Sequence, residues 1–531
     1  MSSDLGSGSA AGDGPPAPAG SEPSVARRVK GLTRDSLVYG LGVAGQKVIG
    51  LILLPILTRV FAPAEYGATE LIGLLLLFIS YFVVVGNDSA LLRFFFDTDS
   101  EREQREIASL ALIFRVSAAI LLTAVLWPWS EFLSRLIFST AIYSGYIKVT
   151  LLTLIFTTIV KFCVDLLRVR LRPMRFVVYS LGNLAAIALL TLMLTPDVLT
   201  LEIPIINRAM TFRGQGQGLR GVFYARLFAD ALFAALGLLW CWRDLTRPAG
   251  WPVLKGMLRF GAPLLPVGLA QFVLSYADRY TLNRFVSLDQ VGPYSVGAKV
   301  ASFMMLFVAA FQYAWGPFAI SIFRESNARA TYAKVFSLYV FVAGAIGLVL
   351  TGLAREILTM ITTSHYVHGY RMAGFLVFAA VANGAFTIPA ASLQIAKRTG
   401  WMGGIAILAA VLNVVLNLLL VRPFEAYGVA TASLLAQCAS VGFMIVVAQR
   451  IYPVPFHVGR TALNFLLGMG LAALGIYFGR SGAGAAILST MAALVLYIAG
   501  AIALRTIGIQ DWLVLRNYAR KKQAQFAGRT D

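Results

Sequence analysis

Apolar stretches of about 20 residues recur from residue 36 almost to the C-terminus of the chain. An α-helix rises 1.5 Å per residue and the hydrocarbon core of a bilayer is about 30 Å thick, so each stretch can cross the membrane once. The chain is 58% hydrophobic and 13% charged, whereas charged residues normally make up about a quarter of a soluble domain. The sequence therefore predicts an all-α polytopic membrane protein without a soluble domain.

The breaks between apolar runs predict fourteen transmembrane helices. The six in the first half are 36–58, 68–90, 107–127, 149–167, 176–195 and 219–241. The eight in the second half are 257–283, 294–317, 333–354, 373–396, 402–421, 427–448, 460–479 and 483–504.

The basic residues between the apolar runs indicate how the helices are oriented. With the N-terminus in the cytoplasm, the cytoplasmic segments hold 28 Lys and Arg residues and the opposite side holds 11. This excess predicts that both termini are cytoplasmic, which requires an even number of spans. The formal net charge of +20 is thereby explained by topology, and nucleic acid is not an expected partner.

An internal repeat becomes visible when the chain is shifted by 225 residues. Gln46 then aligns with Gln271, Val48 with Val273, Leu57 with Leu282, Arg59 with Arg284 and Gly67 with Gly292. Six helices separate the two copies, so the repeats share their orientation and are related by an axis along the membrane normal. Such repeats commonly build two lobes that rock about a central site, which indicates a carrier.

The repeat divides the chain into five predicted regions. They are a disordered cytoplasmic tail at 1–30, rich in Ser, Gly, Ala and Pro, a first lobe at 31–245, a second lobe at 246–450, two additional helices at 451–505 and a basic cytoplasmic tail at 506–531. The first tail lacks the apolar core that a secretory signal needs.

Ionisable residues within the predicted spans are candidates for function, because placing one at the bilayer centre costs roughly 2.5 to 3.5 kcal/mol. These residues are Lys47, Arg115, Lys161, Asp165, Arg226, Asp230, Asp278, Arg279 and Lys299. Together with Asp88 they comprise six cations and four acids. The surplus predicts a cationic lumen that attracts an anionic substrate.

Local spacing suggests which of these charges neutralise one another. Lys161 with Asp165 and Arg226 with Asp230 are spaced i, i+4, where opposite charges on one helix face can pair. Asp278 and Arg279 are adjacent and not expected to face each other, so at least one of them should find a partner on another helix. Lys299 lies about one turn inside its span and could instead extend to the interface.

These considerations give the candidate site residues. The predicted substrate-binding residues are Lys47, Arg115, Arg226, Arg279, Lys299, Gln46 and Gln271. Asp165, Asp230 and Asp278 are candidates for ion coupling. The amides Gln46, Gln271, Asn283, Gln312, Asn383 and Gln437 either donate to sugar hydroxyls or join helices to one another.

No catalytic residue, metal site or cofactor is predicted. Cys163, Cys241 and Cys438 lie in or at the end of apolar segments and are interpreted as packing residues. His365 and His368 lie close together in an outer loop, where a solvated loop is favoured over a metal site.

Several segments resemble bacterial polysaccharide flippases of the Wzx type, within the multidrug/oligosaccharidyl-lipid/polysaccharide (MOP) exporter superfamily. The matching segments are "RVFAPAEYG" at 59–67, "GNDSALLRFFF" at 86–96, "ADRYTLNRFVSLDQVGPYSVG" at 277–297 and "LNLLLVRPFEAYGVATASL" at 416–434.

This resemblance implies two six-helix lobes with two additional helices. It further implies a non-enzymatic flippase that moves a polyprenyl-pyrophosphate-linked oligosaccharide to the outer leaflet by alternating access, for synthesis of surface polysaccharide such as O-antigen, exopolysaccharide or capsule. The expected partners are the lipid-linked glycan and the bilayer, with a polysaccharide polymerase and glycosyltransferases as further possible ones. Two alternatives stay open, an ion-coupled multidrug exporter of the same superfamily and a membrane polysaccharide polymerase or ligase.

Overall fold

The computed structural model describes residue 45 and residues 53–506, apart from 204–207, 324, 397, 399 and 480–481. Most of the first predicted span lies outside the described residues. The same is true of Gln46, Lys47, the N-terminal tail and nearly all of the C-terminal tail.

The first half of the described chain is a set of helices with one short β-hairpin. Residues 53–60 are helical and precede α1 (Pro63–Val84), α2 (Asn87–Phe96), α3 (Glu101–Leu126), α4 (Ser130–Phe138), α5 (Ser144–Val169), α6 (Pro173–Leu194) and α7 (Leu219–Cys241). The antiparallel strands β1 (Val198–Ile203) and β2 (Arg208–Arg213) join α6 to α7. The segment between α6 and α7 thus contains an antiparallel pair of strands.

The second half continues with helices after a short 3₁₀ turn at Trp242–Asp244. They are α8 (Trp251–Gly261), α9 (Leu264–Phe285), α10 (Leu288–Ile322), α11 (Ala328–Gly352), α12 (Ala354–Ile361), α13 (Ser364–Val367), α14 (Tyr370–Ala385), α15 (Thr387–Ile395), α16 (Gly400–Ile451), α17 (Val458–Phe478) and α18 (Ala483–Ala503).

Local sequence explains where several helices begin. Pro63 and Pro173 occupy the first turns of α1 and α6, where a missing N–H costs nothing because these groups have no intrahelical acceptor. The Ser100 hydroxyl accepts a hydrogen bond from the Glu103 amide at the start of α3, where Glu101 and Glu103 also complement the helix dipole. These helix starts mark the boundaries of the apolar runs.

The described residues contain eleven helices that are long and apolar enough to cross a membrane, or twelve if α8 and α9, bent by 42°, form one broken span. The helix α16 has 52 residues, with Pro423 and a non-helical Glu425 inside it. Its length of about 78 Å at 1.5 Å per residue is enough for two crossings. The polytopic helical architecture is confirmed, and the count of fourteen stays a prediction because most of the first span is not described.

The helix starts follow the repeat seen in the sequence. The helices α1 and α10 begin at residues 63 and 288, α3 and α11 at 101 and 328, and α4 and α12 at 130 and 354. The next pairs, α5 with α14 and α6 with α16, begin at 144 and 370 and at 173 and 400. Corresponding helices are therefore 224 to 227 residues apart over most of each half, while the division at 245/246 stays a prediction.

The two halves touch through reciprocal contacts of equivalent residues. A Cβ atom added to Gly67 would lie 2.8 Å from the Leu288 carbonyl oxygen, and one added to Gly292 would press on the Pro63 carbonyl. Gly67 and Gly292, like residues 63 and 288, are 225 positions apart. Each glycine thus allows close approach of the other half's backbone, and the contact is symmetric.

The same symmetry holds nearby, at the end of the molecule where α1 and α10 begin. Thr363 donates a hydrogen bond to the Thr58 carbonyl, while Asn283 donates to the Ile137 carbonyl. Asn283 is 225 residues after Thr58, and Ile137 lies in α4, which corresponds to α12 beside Thr363. The halves are therefore joined around a two-fold arrangement at this end.

Candidate functional site

A cavity of about 680 Å³ lies among α1, α3, α5, α6 and α7, with the start of α9 on one side. Its charged lining consists of Asp88, Arg115, Lys161, Asp165, Arg226 and Asp230. Five of these six residues are charges that the sequence placed inside predicted spans, and the sixth, Asp88, was counted with them. The fold brings them together from α3, α5 and α7 and from α2, which follows α1.

Arg115 on α3 is the most deeply buried charge of this cavity. Its side chain is 1% exposed, and its Nη1 atom lies 2.6 Å from Asp165 Oδ2 on α5. Its Nε donates to Asn87 Oδ1 at 2.7 Å, and the guanidinium faces the ring of Phe162. The prediction that Lys161 neutralises Asp165 is wrong, because a cation from another helix holds this carboxylate.

Asp230 on α7 is held by groups from three helices. Its carboxylate accepts hydrogen bonds from the Thr157 hydroxyl and from Asn183 Nδ2, and it lies 3.9 Å from Arg226 Nε on its own helix. The side chain of Asp230 is 3% exposed and that of Arg226 is 42% exposed. The predicted pair is confirmed, although Arg226 remains turned largely toward the cavity.

Lys161 and Asp88 are the least engaged charges of the cavity. Both side chains are exposed to it. The Lys161 ammonium lies 3.4 Å from the Ser80 hydroxyl. Within the described part of the chain neither residue forms an ion pair. Lys161 is not among the predicted substrate-binding residues, because its spacing predicted an ion pair with Asp165.

The predicted surplus of positive charge is not found in the described residues. The cavity lining has three cations and three acids. Glu70, which lies in α1 and was overlooked in the sequence, is a further intramembrane acid. The described intramembrane charges are then balanced, and the sixth cation counted in the sequence, Lys47, lies outside them. What distinguishes the cavity is that, among the described residues, Lys161 forms no ion pair, and that Arg226, 3.9 Å from Asp230, is still 42% exposed.

A second group of charges lies where the two halves meet. Lys299 on α10 forms an ion pair with Glu70 on α1, with Nζ 2.9 Å from Oε1, and Tyr66 donates a hydrogen bond to the same carboxylate oxygen. The alternative in which Lys299 extends to the interface is therefore wrong. This pair joins the two halves, and its residues do not line the large cavity.

Asp278 and Arg279 on α9 belong to this second group. Contrary to expectation they pair directly, with Arg279 Nη1 3.1 Å from Asp278 Oδ1, because the long arginine side chain folds back beside its neighbour. The expected partner on another helix is also present, since Tyr294 on α10 donates to Asp278 Oδ2. Both charged side chains are buried, and neither residue lines the large cavity.

The remaining predicted amides are not assembled into one site. Gln271 is exposed on α9 and donates to the Ser275 hydroxyl at 3.3 Å, away from the cavity. Asn283 joins helices, as one of its two interpretations proposed.

Comparison with known proteins supports the family assignment made from the sequence. A family model described as "Polysaccharide biosynthesis protein" matches residues 56–369, which is more than half of the chain and includes every charged residue of the cavity. The chain is a member of the polysaccharide biosynthesis protein family. No curated protein matches the chain in the comparison made.

Solved structures of the MOP superfamily share the fold of this polysaccharide biosynthesis protein. A structure of the lipid II flippase MurJ in an inward closed conformation has a TM-score of 0.63 at 13% identity, covering 88% of this chain and 99% of MurJ. An inward-facing multidrug resistance MATE family transporter has a TM-score of 0.59 at 14% identity, covering 76% of this chain and 95% of that one.

A third similar structure is a MOP superfamily transporter from Pyrococcus furiosus, with a TM-score of 0.54 at 15% identity and coverage of 79% of this chain and 95% of that one. At these identities the likeness shows the fold, and the MOP-like architecture predicted from the sequence is confirmed.

Proposed function

We propose that this chain moves a polyprenyl-pyrophosphate-linked oligosaccharide across the bacterial inner membrane for surface polysaccharide synthesis, by alternating access. The observation that carries the proposal is the cavity with charged lining inside the family-matched segment, where Lys161 forms no ion pair among the described residues and Arg226 is 42% exposed. The fold shared with the transporters named above, which include a lipid II flippase, supports a role as a membrane carrier.

The chemistry of the cavity suits an anionic headgroup joined to polar sugars. Arg115, Thr157 and Asn183 already satisfy the carboxylates of Asp165 and Asp230. Lys161 and the exposed part of the Arg226 guanidinium therefore remain available for a pyrophosphate. Charge-assisted hydrogen bonds to such a group are shorter and stronger than neutral ones. Ser80, Ser180 and Asn183 add polar groups to the lining.

The position of the cavity supports entry from the cytoplasm. It is lined by the end of α1, the start of α9 and neighbouring parts of α5 and α6, on the side that the distribution of basic residues predicts to be cytoplasmic. The reciprocal contacts between the halves lie toward the opposite side, where α1 and α10 begin. In this arrangement a headgroup would enter from the cytoplasmic leaflet, and separation of those contacts would open the way outward.

The proposal is tested by the variants Lys161→Ala and Arg226→Ala in proteoliposomes that contain a fluorescent polyprenyl-pyrophosphate oligosaccharide. We expect each variant to slow movement of the headgroup between leaflets by at least tenfold. Lys148→Ala is the matched control, because Lys148 is on the same helix as Lys161 and outside the cavity. Unchanged flipping by both cavity variants at equal protein levels would refute the role of these cations.

A further variant tests the alternative function, an ion-coupled multidrug exporter. Asp165 is 30% exposed and Asp88 faces the cavity, so two acids are accessible to a cation. Asp165→Asn should leave drug susceptibility of the host cells unchanged if the cargo is a lipid-linked glycan. Drug resistance that requires the Asp165 carboxylate, with no effect on oligosaccharide movement, would favour the exporter instead.

A further inference from the structure

A second, smaller pocket lies where α11 begins, α17 begins and α18 ends, and it shares no lining residue with the large cavity. Its volume is about 270 Å³, and its polar lining comprises Lys334, Ser337, His457, Arg460, Arg505 and Thr506. We call it the basic pocket. These basic residues come from three chain segments, and the described residues that line the pocket include no carboxylate.

The starts of the two helices at the basic pocket add to its positive potential. Neither α11 nor α17 has an acidic residue in its first turn or a side-chain hydrogen bond at its N-cap. Arg460 lies in the first turn of α17, although the positive end of the helix dipole disfavours a cation at this position. Both features raise the positive potential at the basic pocket.

Arg505 reaches the pocket from an uncommon backbone conformation. It follows the end of α18 with φ +53°, in the left-handed region that usually favours glycine at the end of a helix. The Thr506 amide donates to the Ala501 carbonyl across this turn. The turn therefore places a guanidinium beside the pocket where a glycine would suit the backbone better.

We propose that the basic pocket binds the phosphate of an anionic phospholipid from the leaflet on the predicted cytoplasmic side. The pocket lies at the ends of membrane-spanning helices, where lipid headgroups are found, and its basic side chains are exposed. Basic pockets between transmembrane helices on the cytoplasmic side are a known way of binding anionic headgroups. This inference is independent of the proposed cargo, because no residue of the large cavity takes part.

A phospholipid explains the pocket better than the chain's own C-terminal segment. Residues 507–531 contain five Lys and Arg residues and two Asp residues, so the segment that follows the pocket is itself basic. A bound phosphate would join α11 to α17 and α18, and so couple the two additional helices to the second half of the chain.

The test uses the full chain, purified and stripped of lipid, with binding of dioleoylphosphatidylglycerol measured by native mass spectrometry. The double variant Arg460→Gln/Arg505→Gln should bind this lipid at least tenfold more weakly than the unchanged chain. Lys255→Gln/Arg259→Gln is the matched control, since it removes two exposed basic groups of α8 on the same side of the membrane. Its affinity should stay within twofold.

Further measurements decide between the possible anions. Arg460→Lys/Arg505→Lys should restore most of the binding, and equal elution volumes in size-exclusion chromatography would show that the Gln variants are folded. Equal affinity for dioleoylphosphatidylcholine, or an unchanged Gln variant, would overturn the proposal. Displacement of the lipid by inorganic phosphate at comparable concentration, or tighter binding of a polyprenyl phosphate, would also overturn the assignment to a phospholipid.

Discussion

The two halves of the molecule have the same helical frame and different interiors. The helices α5 and α14 occupy equivalent places in the repeat, and 56% of the most apolar segment of α5 is buried, against 83% for α14 with α15. In the first half the space between helices is a charged cavity, whereas in the second half the equivalent helix is almost enclosed. The repeat therefore preserves backbone positions without preserving chemistry.

Equivalent positions show the difference residue by residue. With the offset of α3 and α11, Arg115 corresponds to Val342, and with that of α5 and α14, Asp165 corresponds to Ala391. Lys161 corresponds in the same way to Thr387. The charges that could hold a headgroup thus occur in the first half, while the second half contributes Lys299 and the Asp278–Arg279 pair near the junction.

The largest expected effect is the loss of stability when the buried pair of the first half is broken. Arg115→Ala leaves Asn87 and the 30% exposed Asp165 without their partner. Removing one member of a fully buried ion pair costs about 3 to 5 kcal/mol, so we expect a loss at the lower end, about 3 kcal/mol. The equivalent change Val342→Ala should cost about 1 kcal/mol, as an ordinary loss of side-chain contacts. Thermal unfolding in one detergent would compare them, and equal losses would remove the proposed difference between the halves.

A smaller effect is expected where the halves meet through their glycines. Gly67→Ala and Gly292→Ala should each destabilise the chain by about 1 to 3 kcal/mol, because the added methyl group meets a backbone carbonyl of the other half. Gly73→Ala and Gly316→Ala are controls on the same two helices, since an added Cβ there meets nothing within 4 Å. Helix propensity alone favours Ala over Gly, so the two controls should lose no stability. Losses of similar size in all four variants would show that the symmetric contact is unimportant.

The smallest effect concerns the ion pair at the junction. Glu70 and Lys299 are 20% and 31% exposed, so we expect a coupling of about 1 kcal/mol in a double-mutant cycle with Glu70→Gln and Lys299→Gln. The exposed pair Arg93 and Asp97 is the reference, with side chains 57% and 63% exposed and an expected coupling of about 0.3 kcal/mol. A coupling at Glu70 no larger than at the reference would argue against its joining the halves.

The helices and the repeat could be predicted because both depend on local pattern. An apolar run of sufficient length is enough to locate a span, and the shared loop of Arg59 and Arg284 was enough to find the offset. The grouping of Arg115, Asp165 and Asp230 in one cavity was consistent with their position inside spans, although the sequence did not distinguish them from Asp278.

The partners of these charges could not be predicted, because spacing along one helix says nothing about its neighbours. Lys161 had Asp165 four residues away, yet the carboxylate is held by Arg115, 50 residues distant in the chain. Glu70 could have been recognised as an intramembrane acid, because it lies two residues inside the predicted span 68–90. Its omission made the intramembrane charge look more positive than it is.

The paired glycine contact also has a mechanical consequence. At this contact the backbones of α1 and α10 meet directly. A change of angle between the two helices therefore requires little rearrangement of interlocked side chains at that point. The 22 residues of α1 span about 33 Å at 1.5 Å per residue, and a tilt of about 10° at one end would move the other end by about 6 Å. A small rotation at the glycine contact would therefore cause a larger displacement at the opposite end of α1, where the cavity lies.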